Sequence, residues 1–311
     1  MNAAPIRLGT RGSDLALWQA QTVSDLLSRE APMREVEITT VKTLGDQVKD
    51  KPIGKLGRTA VFTHELDGAL QQSEVDIAVH SLKDVETQLA EGLVIAAVLP
   101  RGPVEDALVA AIPLADLASG ARVGTGSVRR VAQLQRLRPD LKIEGIRGNV
   151  PTRLEKLDLG EYDALIMARA GLVRLGYAHR ISQVFAADAF LPAVGQGAIA
   201  IMCREDDETS RRLLKGLNHL RTRQVVDAER ALLKEVGGGC NVPLGVCAHH
   251  EGEEVRMRAM LFAEPGEAPA EAAMTFKSTD DPQVRGAQLA AALLVSGGSE
   301  ILANFIRERD A

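Results

Sequence analysis

The sequence predicts an α/β protein: two successive α/β domains followed by a small C-terminal α+β domain. Three observations predict it. Over the first half, short apolar strand patterns alternate with amphipathic helices. After "AVLPRGPVEDALVA" the same alternation starts afresh. Beyond "LPAVGQGAIAIMCRED" it gives way to a long helix, an antiparallel hairpin and two closing helices. At 311 residues the chain is also longer than one ordinary core organises.

The elements follow in order. "PIRLGTR" is a short strand, and "SDLALWQAQTVSDLLSRE" an amphipathic helix with Ser13 at its N-cap. "EVEITTVKT" alternates as a strand does, whereas residues 44–59 are polar, glycine-bearing and aperiodic, as a lid loop is. "FTHELDGALQQSE" is a helix, and "VDIAVHS" a buried strand running up to Lys83 and Asp84. The second round begins with "ARVGTG" as a strand and "SVRRVAQLQRLRP" as a helix opening on Ser127. "LKIEGIRG" is a strand, "VPTRLEKLDLGE" a helix, and "YDALIMARAGL" a buried strand leading into a turn. Such alternation implies largely parallel sheets with right-handed crossovers. Ligand-binding residues then gather at the carboxyl ends of strands, and Arg11, Asp84, Ser127 and Arg147 all follow strands, as residues sharing one cleft would. In the last third, "TRQVVDAERALLKEV" is a helix with apolar positions 225, 228, 232 and 236 and Gly237 as its stop. "EVRMRAMLFA" and "AEAAMTFKST" form the hairpin, and "PQVRGAQLAAALLV" and "SEILANFIRER" the closing helices.

Composition excludes several function classes. Aromatic residues are 3% of the chain, too few for a base-stacking surface, and the net charge of −5 does not suit a general nucleic-acid binder. An anion site must be a local cluster of arginines. The first residues carry no secretory signal, and apolar runs such as "LAAALLV" fall short of a membrane span. Three widely spaced cysteines do not make a disulfide framework, so a cytoplasmic location is expected. The C-x6-C-x-H-H pattern from Cys240 to His250 lacks the paired spacing of a structural zinc site, and no metal is expected.

The polar residues point to anion chemistry. In "GTGSVRR", Ser127 opens a helix whose first turn holds Arg129 and Arg130. Free backbone N–H groups there bind anions, and arginines opposing the macrodipole suggest that a bound anion relieves the repulsion. The alternative is a pair of solvated surface arginines. Arg147 and Arg153 repeat the arrangement in "IRGNVPTRLEKL", and Arg11 does so in "GTRGS". Together they suit a ligand with many carboxylates or phosphates. "HSLKD" puts Lys83 and Asp84 at a strand end, where a carboxylate among cations stabilises a developing cation or relays a proton, or simply pairs with the lysine at the surface. His80 reads as a hydrogen-bonded structural histidine. Cys240, in "GGGCNVPLG", is presented by its glycines as a nucleophile, a metal ligand, a disulfide half or a loop thiol. Its position past a helix C-terminus disfavours a thiolate and favours a thiol that forms one permanent bond.

"TRGSDLALWQA", "DIAVHSLKDV", "GTGSVRR", "IRGNVPTRLEKLDLGEYDA", "LPAVGQGA" and "GGGCNVPLG", in that order, closely resemble the porphobilinogen deaminase (hydroxymethylbilane synthase) family along essentially the whole chain. The resemblance implies two periplasmic-binding-protein-like α/β domains, 1–97 with 198–215 and 103–191, and a third α+β domain, 220–311. It implies a monomeric transferase of haem biosynthesis that joins four porphobilinogen molecules into hydroxymethylbilane on a dipyrromethane cofactor, without nucleic-acid or membrane partners. Cys240 would carry the cofactor by a thioether, and Asp84 would be the catalytic carboxylate. Lys83, Ser127, Arg129, Arg130 and Lys55 match cofactor-side positions, and Arg11, Ser13, Arg147, Arg153 and Arg174 substrate-side ones. The chain departs from the family pattern at Thr59, where a lysine is usual, with Arg58 beside it expected to take over part of that role. His64 stands where lysine is frequent, Glu86 where proline is usual, and Gly126 where serine is. A small-molecule binding protein on the same scaffold, or an inactive family member, is the competing expectation.

Overall fold

The computed structural model describes residues 4–42, 63–237 and 242–310. The 44–59 segment with Lys55, Arg58 and Thr59 lies outside them, as does Cys240. The chain opens with β1 (Ile6–Thr10), α1 (Asp14–Glu30), β2 (Val36–Thr40), α2 (His64–Gln71), β3 (Ile77–Ser81) and β4 (Leu93–Val98). Next come β5 (Asp106–Ala110), β6 (Arg122–Gly124), α3 (Val128–Leu137), β7 (Lys142–Glu144), α4 (Val150–Asp158), β8 (Ala164–Ala168), α5 (Arg169–Arg174) and β9 (Gln183–Val184). β10 (Ile199–Arg204), α6 (Glu208–Lys215), α7 (Leu220–Glu235), β11 (Leu244–Glu251), β12 (Glu254–Leu261), β13 (Ala270–Lys277), α8 (Pro282–Leu293) and α9 (Ser299–Asp310) complete it. Two compact units result: Met1–Gly102 with Gly197–Arg223, and Pro103–Gln196 with Gln224–Ala311.

The first unit is built on a sheet of order β2-β1-β3-β10-β4. β1 pairs in parallel with β2 and β3, but β10 runs antiparallel between β3 and β4. The second unit holds a sheet of the same plan, β7-β6-β8-β5-β9, with β5 as the antiparallel insert. Four of the five strands in each sheet thus run the same way, as the expectation of largely parallel sheets has it, with one antiparallel strand inserted. The inserted strand is reached in each case without a helical crossover, so nothing holds it parallel to its neighbours.

Apolar periodicity explains the layers. Leu8, Val79 and Ile201 on one face of the first sheet pack on Ala20, Val23 and Leu27 of α1 and Leu214 of α6. Leu27 is fully buried, and truncating such a leucine to alanine costs about 2–5 kcal/mol. The second sheet is covered on both sides. Leu108, Val123 and Ile166 face Leu134, Phe185 and Phe190, whereas Ala107, Val109, Leu165 and Met167 face Leu154 and Leu172. Burial on both faces is why "DALVA" and "ALIMA" read as unbroken apolar runs. A third, antiparallel sheet, β11-β12-β13, also belongs to the second unit, with Val255, Met257, Ala259 and Leu261 of β12 buried.

α7 buries Val225, Ala228, Leu232 and Val236 as its periodicity predicts, and Gly237 at φ 71° ends it. The segment after β8 is the helix α5 and not a turn. Pro282–Arg307 is 26 residues of mean hydropathy 1.6, long and apolar enough by length and composition to cross a membrane. It is not one straight helix, because Ser296 and Gly297, the latter at φ 105°, break it between α8 and α9. Leu289, Ala290 and Leu293 of α8 are buried.

Candidate functional site

In the first unit, charged residues follow directly on β1 and β3. Ser13 caps α1, its Oγ accepting the Ala16 N–H at 3.4 Å, and the half-buried Arg11 lies between β1 and that cap. Beyond β3, a single 3-10 turn, Leu82–Asp84, is held by two buried anchors, Leu82 and Val85. Leu82 N–H donates to the Ala198 carbonyl at 3.0 Å, and Val85 N–H closes the turn on the Leu82 carbonyl at 3.1 Å. Lys83 and Asp84 stand half-buried between those anchors. The strand end is tied to α1 by Gln19, whose Nε2 donates to Ser81 Oγ at 2.9 Å.

His80 departs from its sequence reading. Leu8 pairs with Ile77 and Gly9 with Ala78, so the same register carried forward puts Arg11 beside His80. The imidazole is buried, but its Nε2 has no hydrogen-bond partner among the described residues. It is structural without being the hydrogen-bonded histidine expected. Burial, reinforced by the Arg11 charge, pushes it down to about 4, so near neutrality it is an uncharged ring beside a guanidinium.

In the second unit, Ser127 is the N-cap residue of α3, yet its side chain makes no capping hydrogen bond. Arg129 and Arg130 turn inward instead of out to solvent. Both meet the wholly buried Asp106, Arg129 Nη1 at 2.7 Å and Arg130 Nη2 at 2.7 Å. Gln196 Nε2 donates to Asp106 at 2.9 Å and to the Val104 carbonyl at 2.7 Å, and Arg129 also reaches the Leu191 carbonyl. From the sequence, a bound anion is expected to relieve the repulsion in the first turn, or else both arginines to lie at the surface. The structure corrects both: the relieving anion is the protein's own Asp106, 24 residues from Arg130. Two guanidiniums to one carboxylate leave one positive charge in excess, and Arg129 Nε is buried without a hydrogen-bond partner among the described residues.

Arg147 follows β7 and is half-buried. Among the described residues it makes no hydrogen bond or ion pair, and burial lowers its pKa. Asn149 next caps α4, accepting from Thr152 N–H at 3.0 Å, and Arg153 Nε donates to the Gly148 carbonyl at 2.9 Å. Arg174 closes α5, where burial pushes its guanidinium down to about 10. Sequence reasoning passed over Asp106 and Glu229. Glu229 is wholly buried on α7, its oxygens accepting from Gly195 N–H at 2.8 Å and Ala248 N–H at 3.0 Å. A signal existed for it: an acidic residue four positions after Val225 lies on the helix's apolar stripe.

Two five-stranded sheets of one plan, each with charged side chains just past its strand ends, and a third, antiparallel sheet define an α/β protein. The dipyrromethane cofactor-binding domain of porphobilinogen deaminase matches residues 6–212, and the C-terminal domain of porphobilinogen deaminase matches 224–295. The chain is 42% identical to the porphobilinogen deaminase of Syntrophomonas wolfei over 96% of its own length and 97% of that protein's. It is 40% identical to that of Chlorobium limicola over 97% and 98%. The chain belongs to the porphobilinogen deaminase family. Among solved structures, the methionine-binding protein MetQ, at 14% identity and a TM-score of 0.45, covers 68% of this chain and 89% of its own.

Proposed function

We propose that this protein is a transferase that removes ammonia from four porphobilinogen molecules and joins them head to tail into hydroxymethylbilane, a step of tetrapyrrole biosynthesis. The primer is a dipyrromethane joined through a thioether to Cys240. The observation that carries the reading is the Leu82–Asp84 turn, which fixes a carboxylate beside Lys83 at the end of β3, in a chain similar to porphobilinogen deaminases over nearly its full length. The reading includes a monomer working in the cytoplasm.

The cationic set suits an acidic dipyrrole. Arg129 and Arg130 share one carboxylate, Arg147 has no ion pair among the described residues, and the Ser127 hydroxyl is not used as a cap. We assign Lys83, Ser127, Arg129, Arg130 and Lys55 to the primer's carboxylates, and Arg11, Ser13, Arg147, Arg153 and Arg174 to those of the substrate and growing chain. When bound, the dipyrromethane supplies the pyrrole carbon to which the first unit is joined. Asp84 accepts the substrate's pyrrole N–H and stabilises the cation left when the aminomethyl C–N bond breaks and ammonia departs. Of the other cysteines, Cys203 is wholly buried, and burial pushes its thiol up to about 11, whereas Cys247 lies within β11. Cys240 is the position that matches the family's attachment cysteine, and the burial of Cys203 supports that choice.

Intact mass spectrometry and turnover test the reading together. Purified protein should exceed its sequence mass by a dipyrromethane, and Cys240→Ala should lose that excess. Asp84→Asn should keep it while hydroxymethylbilane formation collapses. A protein at sequence mass that forms no hydroxymethylbilane from porphobilinogen would refute the reading and favour a binding protein on this scaffold.

A further inference from the structure

We infer that Tyr162 is a positioning residue for Arg147, clamping together the two loops that carry Ser127 and Arg147. The inference rests on the reading above, in which Arg147 holds a substrate carboxylate. Tyr162 lies just before β8, two strands away from β7 in the order β7-β6-β8. Its ring crosses the intervening strand at Gly124 and its hydroxyl donates to the Gly145 carbonyl at 2.9 Å. Only glycine permits the crossing: a Cβ at Gly124 would stand 2.9 Å from Tyr162 Cδ1 and 2.7 Å from Leu165 Cδ2.

The two loops also touch each other directly. Thr125 N–H donates to the Glu144 carbonyl at 2.9 Å, and a Cβ at Gly126 would stand 3.1 Å from the Ile146 carbonyl oxygen. Arg147 itself makes no hydrogen bond or ion pair among the described residues. Its place is therefore set by its backbone anchors. These are the Tyr162 hydroxyl on Gly145 and the buried Ile146 on one side, and the Asn149 cap on the other. Removing the hydroxyl loosens the guanidinium without touching the reacting atoms. The effect belongs in substrate affinity more than in the chemical step.

The test uses holoenzyme whose mass confirms the primer, with KM and kcat for porphobilinogen measured in Tyr162→Phe, Arg147→Ala and the double variant. Tyr162→Phe keeps the ring and loses only the hydroxyl, so KM should rise about fivefold, one neutral hydrogen bond's worth, with kcat within about twofold. In the Arg147→Ala background, Tyr162→Phe should add nothing, because the hydroxyl acts through that guanidinium. A KM unchanged in Tyr162→Phe while Arg147→Ala raises it, or effects that add in the double variant, would overturn the positioning role. A KM unchanged in Arg147→Ala would overturn the carboxylate reading itself, and the inference with it.

Discussion

Replacing Asp106 with asparagine keeps the outline of the side chain and takes its charge from between two buried guanidiniums. In the native protein the carboxylate lies 2.7 Å from Arg129 Nη1 and 2.7 Å from Arg130 Nη2, and accepts from Arg130 Nε at 3.1 Å and Gln196 Nε2 at 2.9 Å. Burial alone would raise its pKa, but Arg129 and Arg130 outweigh burial and hold the carboxyl far below the usual carboxylate range. Asparagine leaves both cations buried without a counter-ion and turns an N–H2 group toward other donors. Breaking a buried pair in this way costs about 3–5 kcal/mol, a large part of a typical stability of about 5–15 kcal/mol. Urea unfolding of the primer-loaded protein at pH 7 measures it. Because the folded pKa is depressed, this stabilisation is present above the unfolded value of 3.8 and lost as pH falls below it, so wild type and variant should converge in acid. The exposed Arg122–Asp163 pair is the control, and Asp163→Asn should cost less than about 1 kcal/mol. A loss at Asp106→Asn as small as that at Asp163→Asn would refute the reasoning.

Three further outcomes are expected. Glu229→Ala strands the buried N–H groups of Gly195 and Ala248 and should cost about 2–5 kcal/mol in the same unfolding assay. His80 binds a proton in the unfolded chain below its ordinary value of 6.5 but in the folded protein only below about 4, so it should subtract up to about 3 kcal/mol as pH falls through that window. His80→Gln should flatten the profile relative to wild type, and parallel curves would contradict the assignment. Asp67 runs the other way: burial, aided by Glu86, pushes its carboxyl up to about 6, so stability is lost as pH rises from the unfolded value of 3.8 through that range, and the loss is complete above it. Asp67→Asn should therefore raise Tm at pH 8 more than at pH 5.

Much of the fold was legible because local chemistry writes it. Ser13 and Ser127 stand where α1 and α3 begin, the stripe through Val225, Ala228 and Leu232 marks α7, and the hairpin of β12 and β13 alternates as a half-buried sheet does. β4, β5 and β11 were passed over, although Gly92 and Pro100 bracket "LVIAAV" and signalled a short strand there. The placement of Arg11, Asp84, Ser127 and Arg147 just past strands was likewise readable, since it needs only the order of elements.

The amino-acid sequence by itself determined the elements, their two rounds of alternation, the ordered motifs of the family and the positions of the charged residues along the chain. Tertiary structure decided the antiparallel insertion of β5 and β10, the inward turn of Arg129 and Arg130 onto Asp106, the unpartnered ring of His80 and the Tyr162 clamp. The reason is one of range. Periodicity and capping act over a few residues, whereas Asp106 meets Gln196 across 90 positions and Glu229 meets Gly195 across 34. A buried charge takes the counter-ion that the packed core brings to it, and no spacing along the chain names that partner in advance.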